Sequence, residues 1–126
     1  MQVILDSSVV IAYFRKNELD HKRAEEIFSK NEILIIPDVV LIEVLTIIKM
    51  KEGYERAGQV VDFLLNCEGI MIVPTDEDIF MSAIGHFISH DNHLSLVDTQ
   101  LFKFAKEEQI PLITFDKELA KLAAKK

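Results

Sequence analysis

The chain has little of what stapled, disordered or membrane-spanning proteins are built from. A single cysteine, Cys67, excludes an internal disulfide framework and fits a reducing compartment. Four glycines and three prolines in 126 residues, with no Ser-rich tract, argue against disorder and against flexible linkers. The opening Met-Gln-Val-Ile-Leu-Asp lacks a basic segment, and its apolar run is too short for a signal peptide. No apolar run reaches the roughly 20 residues of a membrane span; Ile33 to Ile48 is interrupted by Pro37, Asp38 and Glu43. Positive charge is also in deficit: 14 Lys and Arg stand against 21 Asp and Glu, a net charge of −7. That argues against a non-specific nucleic-acid coat, which rests on Lys and Arg contacts to phosphate. It leaves open an enzyme whose metal ions meet the phosphate. The expectation is one soluble, cytoplasmic domain over residues 1–126, long enough for a core without staples.

What is present is an alternation of short apolar runs with helical periodicity. Strands are expected at Gln2 to Leu5, Ile33 to Ile36, Ile70 to Val73 and Leu112 to Phe115. Helices are expected from Ser7 to about Arg15, Asp20 to Lys30, Asp38 to about Lys51, and Tyr54 to Asn66, the last burying Val60, Val61, Leu64 and Leu65. Further helices should run to about Ser89 from a Thr75-x-x-Asp78 capping box, from Ser95 to Gln109, and from Lys117 to the end. Asp38 reads as the cap of its helix, and Gly53 ends it. Strands that are apolar throughout, separated by helices, imply a parallel sheet covered on both faces. The fold class is therefore α/β, a three-layer α/β/α sandwich around a mainly parallel sheet.

Four acids end or interrupt these apolar runs: Asp6, Glu43, Asp98 and Asp116. A carboxylate held against apolar surface is costly unless it is paired, hydrogen-bonded or bound to a metal. Asp6 and Asp116 fall at strand ends, on the edge where open α/β sheets bind ligands. Glu43 lies about one and a half turns into the helix after the second strand, and Asp98 in the first turn of its own helix. Each has a simpler reading taken alone. Asp6 and Asp116 suit helix N-caps, and Ser95-x-x-Asp98 is a capping box. Glu43 is the exception, being the one charge between Asp38 and Lys49; in a helix apolar all round it should be enclosed. A divalent cation is the simplest means of holding four such acids together.

The flanking residues resemble the PIN domain family, most closely the toxin nucleases of VapBC-type toxin–antitoxin pairs. Ile-Leu-Asp6-Ser7-Ser8 is similar to the first family motif, Glu43 to the acid of the third helix, Leu94-Ser95-Leu96-Val97-Asp98 to the Leu-Ser-x-x-Asp signature, and Thr114-Phe115-Asp116 to the Thr-x-Asp signature. The resemblance implies Mg²⁺- or Mn²⁺-dependent cleavage of RNA, with Asp6, Glu43, Asp98 and Asp116 binding the metal. It also implies a homodimer, a cognate antitoxin, and Ser7 and Thr114 supporting the metal site or the substrate. Family members commonly continue into a final edge strand, whereas Leu-Ala-Lys-Leu-Ala-Ala-Lys-Lys reads as helix, so the sheet has four or five strands. The alternatives are an RNA-processing nuclease without an antitoxin and a PIN-like module that binds without cutting.

Other candidates are weaker. His86, His90 and His93 form a His-x-x-x-His-x-x-His array that lacks the glutamate of a zinc peptidase, and it reads as a polar helix end. Asp6-x-Ser8 lacks the second acid of an Asp-x-Asp phosphatase, and neither Gly-rich phosphate-loop pattern occurs. Cys67 reads as a packing residue. Phe14, Phe102 and Phe104 read as core or dimer surface. Among the basic residues, Arg15 is the one expected to contact RNA, with Lys49, Lys51, Lys103 and Lys106 as solvated surface.

Overall fold

The computed structural model describes residues 1–124. Its elements are β1 (Gln2–Leu5), α1 (Ser7–Phe14), α2 (His21–Lys30), β2 (Ile33–Pro37), α3 (Asp38–Glu52), α4 (Tyr54–Asn66), β3 (Ile70–Val73), α5 (Glu77–Ser89), α6 (Leu96–Glu108), β4 (Leu112–Ile113) and α7 (Lys117–Ala124). The strands form one sheet in the order β3-β2-β1-β4. Every pairing is parallel, with Ile4 opposite both Ile35 and Leu112.

The apolar strands bury both faces, as their continuous hydrophobicity requires. Val3, Leu5, Leu34 and Ile36 join a core with Val9 and Val10 of α1, Val40, Val44 and Ile48 of α3, and Val60 and Leu64 of α4. The intervening Ile4 and Ile35 face the opposite way, onto Ala105 and Phe104 of α6. This two-residue alternation separates the helical layers, giving the three-layer sandwich. Gly69 serves the entry to β3. Its φ is +85°, and an added Cβ would stand 2.6 Å from the Glu32 carbonyl oxygen, so only glycine fits.

The boundaries depart from the sequence expectation in instructive ways. Pro37 ends β2 and precedes the first turn of α3, so Asp38 is the first helical residue rather than the cap. Its carboxylate still accepts from Val39 N at 2.8 Å, and it also takes the Thr75 hydroxyl and, at 3.1 Å, the Thr75 N–H. Thr75 is thereby removed from the expected capping box, and Asp76 caps α5 by accepting from Asp78 N at 2.7 Å. Strand β4 is two residues rather than four, because the chain turns at Thr114 toward Asp6. Leu65, expected inside, is 61% exposed, while Val60 and Leu64 carry the buried face of α4. The expectation of helix to the chain end concerns Lys125 and Lys126, which lie outside the described residues.

Candidate active site

The strand order creates the site. The chain lays β1, β2 and β3 side by side in one direction and then returns to place β4 on the other flank of β1. The crevice beyond the carboxyl ends of β1 and β4 is therefore the topological switch point, where open α/β sheets bind ligands. Asp6 N donates to the Ile113 carbonyl at 3.1 Å, so the first acid is tied directly to β4.

Asp6 is the hub. It is only 4% exposed, and its carboxylate accepts from three groups. Oδ1 takes Ser7 N at 2.8 Å and lies 3.5 Å from Ser7 Oγ; Oδ2 takes Ser8 Oγ at 2.9 Å and Thr114 Oγ1 at 2.7 Å. These donors offset the desolvation of a buried carboxylate. Ser7, itself buried, spends its single hydroxyl proton on Glu43 Oε1, linking α1 to α3. Thr114 donates to Asp6 and accepts from Asp116 N at 3.0 Å, linking the first acid to the last. Asp6 is thus both the N-cap of α1 and the centre of the network, so the two readings of it are compatible.

The other acids keep their capping roles as well. Asp98 completes a reciprocal capping box with Ser95, accepting from Ser95 N at 3.4 Å while Ser95 Oγ accepts from Asp98 N at 3.1 Å. Asp116 Oδ1 accepts from Leu119 N at 2.9 Å in the first turn of α7. Burial, the charge of Asp6 and, more weakly, that of Asp116 raise the Asp98 carboxyl above the usual carboxylate range, partly opposed by its hydrogen bonds to Ser95. Asp98 therefore feels both Asp6 and Asp116 across the crevice. Glu43 is half-buried rather than enclosed. It borders an apolar hollow of about 290 Å³ with Val39, Ile42, Ile47 and Val97, which joins its helix to the segment carrying Asp98. The outward face of α3 is uncovered, with Ile42 64% exposed, and that is why the enclosure failed.

Among the described residues, no Lys or Arg pairs with any of these four acids. Nor does any group of three Asp, Glu, His or Cys side chains stand ready to hold a metal as the side chains lie. The two facts are compatible. Each acid is turned toward a cap or hydroxyl, and Mg²⁺ is usually held by one or two carboxylates with water completing its shell. The all-oxygen, cation-free donor set suits such a hard ion.

Arg15 is not brought to this crevice. It follows the far end of α1, where it donates to Glu52 at 2.6 Å and Glu18 at 3.2 Å. The His86 and His90 rings stack at 3.7 Å, 8° from parallel. Lone pairs lying in two parallel planes cannot share one metal, so this pair is no zinc site as it stands. Residues outside the expected site also contribute. Ser8 accepts from Phe115 N at 3.1 Å while donating to Asp6. Gln100, 5% exposed, donates to Thr75 Oγ1 at 2.8 Å, so the Asp38–Thr75–Gln100 chain ties the helices of Glu43 and Asp98 together. A buried glutamine two residues past Asp98 was the available signal for it. A larger hollow, about 660 Å³ between α2 and α4, is lined by residues such as Tyr13, Phe28 and Phe63 and by none of the four acids.

Fold and crevice together define a parallel α/β protein with an acidic switch-point site. The PIN domain family profile matches residues 3–125, and the chain belongs to that family. Solved structures share its fold at low identity. The Mycobacterium tuberculosis toxin VapC20, described as cleaving the sarcin-ricin loop, has a TM-score of 0.86 and 18% identity, covering 94% of this chain and 93% of that one. The Rickettsia felis VapBC2 complex bound to promoter DNA gives 0.72 and 15%, covering 97% and 93%. The Neisseria gonorrhoeae FitAcB structure gives 0.69 and 16%, covering 98% and 93%. No curated protein matches the chain by sequence.

Proposed function

We propose that the chain is a Mg²⁺- or Mn²⁺-dependent endoribonuclease whose site is built from Asp6, Glu43, Asp98 and Asp116. The observation that carries this reading is the crevice itself: carboxylates from the end of β1, from α3 and α6, and from the β4–α7 turn lie along one edge, with no paired cation among the described residues. A binding module has no need to retain such repulsion. A bound ion would supply an activated water and neutralise charge developing on the scissile phosphate. The chain's own part is to orient the carboxylates: Ser7 holds Glu43, and Thr114 fixes Asp6 against the turn of Asp116.

Family membership and the structural neighbours support a toxin working against a cognate antitoxin. Exposed Ile42 on α3 and Phe80, Met81, Phe87 and Ile88 on α5 support a homodimer, since isolated monomers seldom leave so many large apolar groups uncovered. Among the described residues, no helix is long and apolar enough to cross a membrane. The test is purified protein on structured RNA with Mn²⁺, with chelator, and as Asp6→Asn. Cleavage is expected in the first condition alone; cutting that survives chelation or the substitution would overturn the metal mechanism. A short neighbouring reading frame encoding a DNA-binding protein with a basic tail would favour the toxin over an RNA-processing role.

A further inference from the structure

A nuclease of net charge −7 must still attract a polyanion, and the four acids of its crevice repel one. The three arginines of the chain are Arg15, Arg23 and Arg56. Arg15 is spent on Glu18 and Glu52, with its side chain only 16% exposed. Arg56 donates to the Phe14 carbonyl at 2.9 Å and lies near Glu52 at the same far end of α1. Arg23, in the first turn of α2, is differently placed. Its guanidinium carbon lies 4.5 Å from the centroid of the Phe115 ring. Phe115 is the residue between Thr114 and Asp116. Its N–H is held by Ser8 Oγ at 3.1 Å, and Ser8 in turn donates to Asp6 at 2.9 Å. The platform beneath Arg23 is therefore fastened to the crevice. The Arg23 side chain is 66% exposed, and its one ion pair among the described residues, to Asp20 at 3.1 Å, is exposed on both sides. Such a surface pair contributes little and exchanges readily.

We infer that Arg23, held over the Phe115 ring, is a substrate-binding residue that grips an RNA backbone phosphate beside the acid crevice; the inference rests on the ribonuclease reading above. A guanidinium held over an aromatic ring can still donate from its N–H groups, and that fork can match two phosphate oxygens at once. Phe115, itself tied to Ser8, holds that fork beside the crevice. Asp20 holds one of these donors, Nη1, until phosphate displaces it. The acids hold the metal, and Arg23 supplies the cationic contact that they cannot.

The test pairs cleavage of a short fluorogenic RNA in Mn²⁺ with binding of the same RNA by anisotropy on an Asp6→Asn background, both across a salt series. Arg23→Gln is expected to raise KM and Kd about 3- to 10-fold with kcat nearly unchanged. The salt slope should fall by about 0.7, one phosphate contact on a single strand. Arg23→Lys should recover the slope and only part of the affinity, since it keeps the charge without the fork. Lys117→Gln, which removes the cation beside Asp116 in sequence, should do much less. Unchanged KM and slope in Arg23→Gln, or an equal loss in Lys117→Gln, would overturn the inference. Wild-type protein that binds RNA without cutting sinks the ribonuclease reading and leaves Arg23 testable by Kd. Wild-type protein that cuts, with Arg23→Gln indifferent, sinks this inference alone. RNA neither bound nor cut sinks both.

Discussion

Helix α1 has carboxylates at both ends and treats them in opposite ways. At its start Asp6 is buried among hydroxyls and faces Asp98 and Asp116, with no cation paired to any of them among the described residues. At its far end, 8 residues and so about 12 Å along the axis, Glu18 and Glu52 are neutralised by Arg15, with Arg56 close to Glu52. The same helix shows that this chain can supply an arginine where a carboxylate only needs a partner. At the other end it supplies serine and threonine, which orient a carboxylate without cancelling its charge. The difference separates a neutralised ion-pair cluster from the carboxylates of the proposed site.

That contrast can be broken most directly at Asp6. Asp6→Asn should lower single-turnover RNA cleavage in Mn²⁺ by at least about 100-fold, since losing even an outer-shell partner of a metal site removes 10 to 100. Wild-type rates in that variant would make the crevice no different from the paired end. Metal addition comes next. At about 100 times its Kd, an ion that binds only the folded protein adds about 2.7 kcal/mol, readable as a Tm gain of roughly 10 °C. Arg15→Gln should keep that gain and Asp6→Asn should lose most of it; a Tm indifferent to saturating metal would remove the shared site. Thr114→Val deletes the hydroxyl between Asp6 and Asp116, and should cost about 10- to 100-fold in kcat, largely restored in Thr114→Ser. Equal activity in Val and Ser variants would reduce Thr114 to packing.

Smaller effects sharpen the other side. Arg15→Gln should lower stability by about 1 kcal/mol through the loss of Glu18 and Glu52, and leave RNA KM untouched. A raised KM would return Arg15 to the substrate. The smallest effect is a pH signature. The Asp98 carboxyl titrates higher in the folded protein than in the unfolded chain, because of burial and the charges of Asp6 and Asp116. It therefore favours the fold below its unfolded value, and that contribution is lost as pH rises through its folded value. In chelator, Asp98→Asn should raise Tm slightly near pH 7.5, with the gap closing near pH 4. A gap that widens on acidification would reverse the assigned direction.

Several features were legible because they are local. Each strand was marked by an apolar run bounded by turn residues, and Ser95 and Asp98 formed the capping box their spacing implied. Features that depend on distant partners were not. Thr75 left its own expected capping box because its N–H and hydroxyl are both turned to the Asp38 carboxylate, 37 residues away, and Asp76 caps the helix instead. Glu43 stood in an apolar helix and still proved half-exposed, since one face of α3 has no covering element. Arg15 followed the first helix in sequence, but the helix carries it away from the rim. Arg23 reaches the rim from α2 through a contact with Phe115 spanning most of the chain.

By itself the sequence determined the alternation of elements, the parallel sheet and the position of each acid at a strand end or helix start. Periodicity and capping chemistry act over a few residues and can be read there. Only the tertiary structure decided that β4 pairs with β1 rather than β3, which sets Asp6 beside Thr114 and opens the crevice. No local pattern encodes that choice, because two parallel strands joined by crossovers carry the same apolar signature whichever neighbour they take.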